Sequence, residues 1–180
     1  QVVVDMPEST TLEATDAVVR EVEDFLRTRP EVTDFTSYVG LASPMDFNGL
    51  VRHYYLRRGP QVADVRVNLL HRDERALGSH ELVLTIRREV EAIGRRHGAS
   101  LKLVELPPGP PVLSTVVAEI YGQPHHRHED LAAAARMVEE QFRKEEAVVD
   151  VDTSLETHQR KLVFRVDREK AALQGVSTED

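Results

Sequence analysis

The sequence predicts an α+β fold made of two units of unequal length. Short apolar strand patterns alternate with longer amphipathic helix patterns through residues 1–106, and a similar order begins again after residue 112. The units are separated by the stretch Leu106-Pro107-Pro108-Gly109-Pro110-Pro111-Val112. Proline fixes φ and has no N–H to donate, so this stretch supports neither a helix nor a central strand. We therefore interpret residues 107–112 as a stiff connector between two subdomains.

The first half of unit one predicts a strand, a helix and a second strand. Residues 2–4 are a β-branched run that stops before Pro7. Thr10 begins a capping box with Glu13, and the helix that follows ends before Pro30. Its apolar face recurs at spacings of three and four, at Thr15, Val18, Val19, Val22, Phe25 and Leu26. Residues 32–39 then alternate loosely around Phe35, as in a strand.

The second half of unit one repeats this plan. Residues 62–70 alternate, with Val65, Val67 and Leu69 on one face and Asp64, Arg66 and Asn68 on the other, which predicts a half-buried strand. A helix capped by Ser79 runs to Gly98 at its C′ position, and residues 101–106 form the last strand. Residues 1–106 therefore have the β-α-β-β-α-β order of a ferredoxin-like subdomain.

The second unit, residues 113–180, is predicted to be an incomplete β-α-β-β unit. Strands are expected over residues 115–121, 148–153 and 162–166, and a helix over residues 129–144. A helical turn over residues 168–174 ends at Gly175, and Ser177 begins a new N-cap pattern without its helix. A sheet without its last strand leaves an edge unpaired, so we expect the isolated chain to self-associate through that edge.

Composition narrows the classes of function. The 180 residues carry a formal net charge of −8, which argues against a nucleic-acid surface because phosphate binding needs clustered Lys and Arg. The absence of cysteine removes disulfides and thiolate chemistry. The sequence holds no apolar run of about 18 residues, and it starts at Gln1 without a signal-peptide pattern. We expect the chain to be a piece of a longer protein.

Residues 40–56 are the best candidate for a binding surface. The segment is longer than an ordinary hairpin connection and is rich in polarizable and aromatic side chains. The candidate substrate-binding residues are Met45, Phe47, Leu50, Tyr54 and Tyr55. Two interpretations stay open, since a loop of this composition either packs onto its own core or lines a pocket.

No catalytic arrangement is evident, and we expect neither an enzyme nor a bound cofactor. Ser114 and Ser154 lack a G-x-S-x-G context, and there is no Gly-rich phosphate loop. His125, His126 and His128 form a cluster with the composition of a transition-metal site. Arg127 lies among them, and a turn rarely presents adjacent imidazoles to one metal, which favours a solvated helix start; the metal alternative stays open.

Two separated motifs resemble the resistance-nodulation-division (RND) efflux permeases. Met6-Pro7-Glu8-Ser9-Thr10-Thr11-Leu12-Glu13-Ala14-Thr15 is similar to that family's L-P-x-G-T-x-L-E-x-T. Val166-Asp167-Arg168-Glu169-Lys170-Ala171-Ala172-Leu173-Gln174-Gly175-Val176-Ser177 is similar to its V-D-x-x-K-A-x-x-x-G-V-S. Together with the split repeat, the resemblance covers essentially all 180 residues and places them after the seventh transmembrane helix.

The resemblance implies a periplasmic part of a bacterial inner-membrane protein. Residues 1–106 would be one porter subdomain, and residues 113–180 would end where a docking insertion begins. The full-length protein would be a proton-driven homotrimer that works with a periplasmic adaptor and an outer-membrane channel. Its proton-carrying residues would lie in the membrane helices, and residues 40–56 would correspond to the loop that lines the drug pocket.

The resemblance also indicates the class of substrate. The heavy-metal branch of the family uses Met ligands, one of them just before a Leu-Ser-Thr, where this sequence has Val112. Met6, Met45 and Met137 are the three methionines of the chain. We therefore expect the hydrophobe-amphiphile branch and a small amphiphilic substrate. The alternative is a free-standing tandem ferredoxin-like module that binds a small molecule or a protein.

Overall fold

A computed structural model describes residues 1–105, 114–155 and 163–176. Unit one contains β1 (Val2–Asp5), α1 (Leu12–Arg27), β2 (Val32–Leu41), α2 (Phe47–Val51), β3 (Arg58–Leu69), α3 (Ser79–His97) and β4 (Ser100–Leu103). Single 3-10 turns lie at Tyr54–Leu56 and Arg72–Glu74. Unit two contributes α4 (His128–Phe142) and α5 (Arg168–Leu173).

The four strands form one antiparallel sheet in the order β2-β3-β1-β4. Val2 at the start of the central β1 is paired with Val65 of β3 on one side and with Leu103 of β4 on the other. This is the strand order of a β-α-β-β-α-β unit, so the predicted α+β, ferredoxin-like fold is confirmed.

Helices α1 and α3 cover one face of the sheet because their apolar stripes match its apolar residues. The resulting core is dominated by β-branched and leucine side chains that are almost fully buried: Val2, Val4, Val18, Val19, Val22, Leu26, Val65, Leu82, Val90 and Ile93. Each such side chain contributes roughly 1.5–3 kcal/mol of hydrophobic stabilisation when it leaves water. The opposite face of the sheet carries the polar positions and supports the candidate site.

The helix starts differ from the prediction by one residue. Thr11, not Thr10, is the N-cap of α1 and accepts from the N–H of Ala14 at 3.3 Å. Thr10 instead donates its N–H to the carbonyl of Pro7 at 2.9 Å, which holds it in the preceding turn. Gly78, not Ser79, caps α3, and its N–H donates to the Glu81 carboxylate at 2.6 Å.

Strand β3 is longer than predicted. It begins at Arg58 rather than at residue 62, and its pairing with β2 extends to Leu41 opposite Arg58. The register shifts between Val39 and Leu41, so the paired strands continue past Gly59 and Pro60 through an irregularity. The C-terminal end of α3 is as predicted, with Gly98 in the left-handed region at a φ of 64°.

Unit two has its predicted helices and lacks its predicted strands. Within residues 114–155 and 163–176 no strand forms, so the strands expected over 115–121 and 148–153, and over the described part of 162–166, are wrong for this chain. A strand needs a hydrogen-bonded neighbour, and the apolar side chains of these segments stay exposed, Tyr121 at 82% and Phe164 at 93%. The connector at residues 107–112 and the N-cap pattern at Ser177 lie outside the described residues.

Candidate functional site: loop 40–56 and the charged face of the sheet

Four of the five predicted binding residues present their side chains to solvent. The exposed fractions are 61% for Met45, 66% for Phe47, 43% for Leu50 and 42% for Tyr55. Phe47 and Leu50 are three positions apart in α2 and therefore lie on the same side of that helix. We call Met45, Phe47, Leu50 and Tyr55 the apolar surface of the loop.

Tyr54, the fifth predicted residue, is partly buried. It lies in the 3-10 turn beside Tyr55, with its ring 6.0 Å from the guanidinium of Arg57. The turn follows His53, whose φ of 58° reverses the chain between α2 and the 3-10 helix. The structure thus places Tyr54 against the base of the loop and not on its apolar surface.

Asp46 determines where α2 begins. One carboxylate oxygen accepts from the N–H of Gly49 at 2.6 Å, and the other pairs with Arg66 of β3. Partial burial by itself raises the pKa of Asp46, but the hydrogen bonds from Gly49 and Arg66 outweigh it and hold that pKa below its usual value. The ionised carboxylate therefore connects the start of the loop helix to the sheet.

Asp64 of β3 fastens both ends of the loop. Its side chain is fully buried and accepts from the N–H of Ser43 at 2.7 Å and from the guanidinium of Arg57. The N–H of Ala42 donates to the carbonyl of Arg57 at 3.1 Å, which closes the loop at its base. A buried carboxylate needs such partners because its desolvation is costly.

Arg57 extends these contacts to β1. Its second terminal nitrogen donates to Asp5 at 2.6 Å and to the carbonyl of Val4 at 2.7 Å. Burial by itself raises the pKa of Asp5, but Arg57 and Lys102 together hold it below its usual value. The loop, β1 and β3 therefore share one set of ion pairs on the face of the sheet that the helices leave open.

Lys102 of β4 links this set to unit two. Its ammonium group is 3.0 Å from Asp5 and also pairs with Asp152. Burial by itself lowers the pKa of Lys102, but the two carboxylates reverse that effect and raise it. On the helical side of the same edge strand, Arg87 of α3 donates to Asp150 at 2.8 Å. Residues 150–152 thus cross the edge of β4, held by one ion pair on each side.

Sequence reasoning found the apolar surface of the loop and missed the charges beneath it. Alternation placed Asp64 on the polar face of its strand, where a solvated side chain is expected, but loop 40–56 covers that position. The available signal was local: Asp64 interrupts the apolar run of Val62, Ala63 and Val65. Arg57 lies seven residues before Asp64, but Asp5 and Lys102 come from distant parts of the chain, so no spacing rule connects the whole set.

The histidine cluster has no metal-binding geometry in the described residues, where no group of three or more His, Cys, Asp or Glu side chains is arranged to hold a metal ion. His125 and His126 pack with their rings edge to face and their centroids 4.3 Å apart. The Nδ1 of His126 accepts from the N–H of Gln123 at 3.1 Å. The cluster thus forms the turn that leads into α4.

Comparison with known protein families decides the assignment. The model of the AcrB/AcrD/AcrF family matches residues 1–180. The chain belongs to this family. Comparison with individual curated proteins gives no match.

Members of the AcrB/AcrD/AcrF family are RND efflux transporters of the inner membrane. Among the helices of the described residues, none has the length and apolar content needed to cross a membrane. For a transporter, the relevant chemistry is reversible contact with a substrate. The apolar surface of loop 40–56 is exposed, and its ion-paired base fixes where that surface lies.

Proposed function

We propose that this chain is the periplasmic porter segment of a proton-driven RND efflux permease of the hydrophobe-amphiphile type, and that loop 40–56 contacts the substrate during extrusion. The family match over residues 1–180 favours a transporter over a free-standing binding module. The position after the seventh transmembrane helix is proposed from the resemblance of the motifs at residues 6–15 and 166–177. The homotrimer, the periplasmic adaptor and the outer-membrane channel are likewise proposed from the resemblance.

The observation that carries the proposal is an exposed apolar surface on a firmly anchored loop. Large apolar side chains left in water lose the stabilisation that burial gives, and a cluster of them is typical of a contact site. Asp64, Asp46 and Arg57 hold the loop against the sheet with charge-assisted hydrogen bonds. The loop therefore presents its apolar side chains without first having to become ordered, which favours binding.

The side chains also indicate the substrate class. Met45 and Leu50 are flexible aliphatic groups, while Phe47 and Tyr55 add aromatic faces. Such a mixture accepts apolar skeletons of varied shape, and the nearby polar groups suit an amphiphilic molecule. Phe47 is the single phenylalanine of residues 40–56, so we expect a weaker aromatic contribution than a Phe-rich pocket provides.

The test is efflux of an amphiphilic fluorescent dye by the native transporter that contains this chain. The double variant Phe47→Ala/Leu50→Ala removes the exposed side of α2. Partial loss of two apolar contacts of about 1.5–3 kcal/mol each predicts at least a tenfold rise in the dye concentration that gives half-maximal transport. Leu84→Ala is the matched control, since Leu84 is a 56% exposed leucine on α3 outside the loop.

Equal transport by the double variant and the Leu84→Ala control, at equal amounts of protein in the membrane, would contradict the proposal. In that case loop 40–56 would not contact this substrate. The result would leave the family assignment intact, because that assignment rests on the match over the whole chain.

A further inference from the structure

A cavity of about 340 Å³ lies at one end of the sheet, away from the apolar surface of the loop. It lies between the end of α1 and the start of α3, with the ends of β3 and β4 as its floor. Its apolar lining includes Leu26, Val67, Leu82, Ile86 and Leu103. Met45, Phe47, Leu50, Tyr54 and Tyr55 are not among the described residues that line it.

The strand register explains why space exists there. The last pair between β1 and β3 is Val2 with Val65, but β3 continues to Leu69. Beyond that pair, the ends of β3 and β4 are separated by about two strand spacings, roughly 10 Å. The helices cover this gap because Leu26 of α1 and Leu82 of α3 remain packed in the core.

Asn48 is the polar residue that gives the cavity its chemistry. It is the inward-facing residue of α2, 4% exposed, and lines the cavity. Its Oδ1 is buried and has no hydrogen-bond partner. Buried polar atoms are nearly always paired, so an unpaired acceptor at a cavity wall indicates the place of a donor from a ligand.

Three charged side chains of the lining lie close to polar or oppositely charged groups of the protein. Arg66 pairs with Asp46, Glu105 accepts from His80 at 2.8 Å, and Arg29 lies 3.7 Å from Glu31. The Nε of Arg29 is buried and makes no hydrogen bond, and the α-amino group of Gln1, which also lines the cavity, donates to the carbonyl of Val104 at 2.9 Å. Because most of the lining is apolar, an ion would lose its hydration there without full compensation, so a neutral molecule suits the cavity better than an ion.

We propose that this cavity is a binding site for a compact, neutral, mainly apolar molecule that donates one N–H or O–H group to Asn48. Its volume lies at the lower end of the range for small-molecule sites, about 300–1,000 Å³. Because Asn48 lies next to Phe47 in α2, a bound molecule supports that helix from the side opposite the apolar surface. The inference does not depend on the proposed contact between the loop and the transport substrate.

The experiment is a fluorescence titration of this 180-residue chain with N-phenyl-1-naphthylamine, an apolar probe with a single N–H donor. We expect saturable binding with one site per chain. Asn48→Ala should weaken it at least tenfold, whereas Leu84→Ala, which changes an exposed residue of α3 outside the cavity and outside loop 40–56, should leave the Kd unchanged. The carbon analogue 1-phenylnaphthalene, which lacks the donor, should bind wild type and Asn48→Ala equally.

A second variant covers the case in which Asn48→Ala fails to fold. Val83 lines the cavity from α3 and is only partly buried, so Val83→Phe should fill the space and abolish binding. Unchanged binding by Val83→Phe, or equal losses for Asn48→Ala and Leu84→Ala, would overturn the proposal. Failure of the longest native polypeptide that contains this chain to bind the probe would also overturn it, because other parts of that polypeptide would then fill the cavity.

Discussion

Asp64→Asn tests the anchoring of loop 40–56 directly. The substitution keeps the size of the side chain but removes the charge that Arg57 and the N–H of Ser43 share. The new amide has one oxygen for two donors, and its own NH2 group faces whichever donor is left over. The fully buried position leaves water little access to compensate.

The magnitude follows from the partners that remain. Removing one member of a buried ion pair typically costs about 3–5 kcal/mol, and a hydrogen bond to a charged group contributes about 1.5–3 kcal/mol. Arg57 retains Asp5 at 2.6 Å, so the lower part of this range applies. We expect a loss of about 3 kcal/mol in the free energy of unfolding, or about 12 °C in Tm for a unit of this size.

Urea unfolding followed by circular dichroism measures the change. Asp34→Asn is the matched control, because Asp34 is exposed on the same face of the sheet and its change should stay within about 0.5 kcal/mol. Hydrogen exchange at the Ser43 amide should accelerate in Asp64→Asn alone. A loss below 0.5 kcal/mol with unchanged exchange at Ser43 would refute the view that Asp64 anchors the loop.

Three further outcomes follow from the same structure. Thr11→Ala should lower the free energy of unfolding in urea by about 1 kcal/mol because it removes the N-cap of α1. Thr10→Ala should have little effect. A larger loss for Thr10→Ala than for Thr11→Ala would contradict the observed N-cap. The pKa of Asp46 is lower in the folded state than its ordinary value near 4, so the ionised carboxylate stabilises the fold above that ordinary value, and this stabilisation is lost as the pH falls through the folded-state pKa. Asp46→Asn should therefore lose less unfolding free energy on acidification than wild type. An unchanged pH profile would argue against the ion pair between Asp46 and Arg66. Gly98→Ala should lower the free energy of unfolding by about 1 kcal/mol through backbone strain alone, because no neighbouring atom lies within 4 Å of the added Cβ. A stability equal to wild type would show that the left-handed conformation at the end of α3 does not require glycine.

The four strands of unit one and its helices α1 and α3 could be predicted because each has a local signal, whereas the five-residue helix α2 is too short for a periodic pattern and is not predicted. The stripe from Val18 to Leu26 predicts α1, and the alternation of Val65, Val67 and Leu69 predicts β3. Both patterns agree with the core that the structure shows. The errors at the helix starts have a local cause as well, since Thr10 and Thr11 are both good N-cap residues and the preceding turn decides between them.

The charged base of the loop could not be predicted in the same way. Arg57 and Asp64 are seven residues apart, but Asp5 and Lys102 are far from them in sequence and reach them only because β1 lies between β3 and β4. Alternation indicates which side of a strand a residue occupies but not what covers that side. The burial of Asp64 is thus a property of the tertiary fold.

The strands of unit two show the complementary limit. Their apolar patterns predict strands, but a pattern states only which face would be buried, and pairing requires a neighbouring strand. In the described residues, Val117 is 56% exposed and Val149 is 57% exposed. The described segments of strand-type sequence are therefore irregular because no neighbouring strand pairs with them.

Photocrosslinking tests the central proposal most directly. In the native transporter, p-benzoylphenylalanine is placed at the position of Phe47, which is 66% exposed, or, as the control, at that of Leu84, which is 56% exposed. Each protein is then irradiated with a radiolabelled amphiphilic dye. We expect labelling at position 47 that excess unlabelled dye suppresses, and little labelling at position 84. Equal labelling at both positions, or none at position 47, would contradict a role for loop 40–56 in substrate contact.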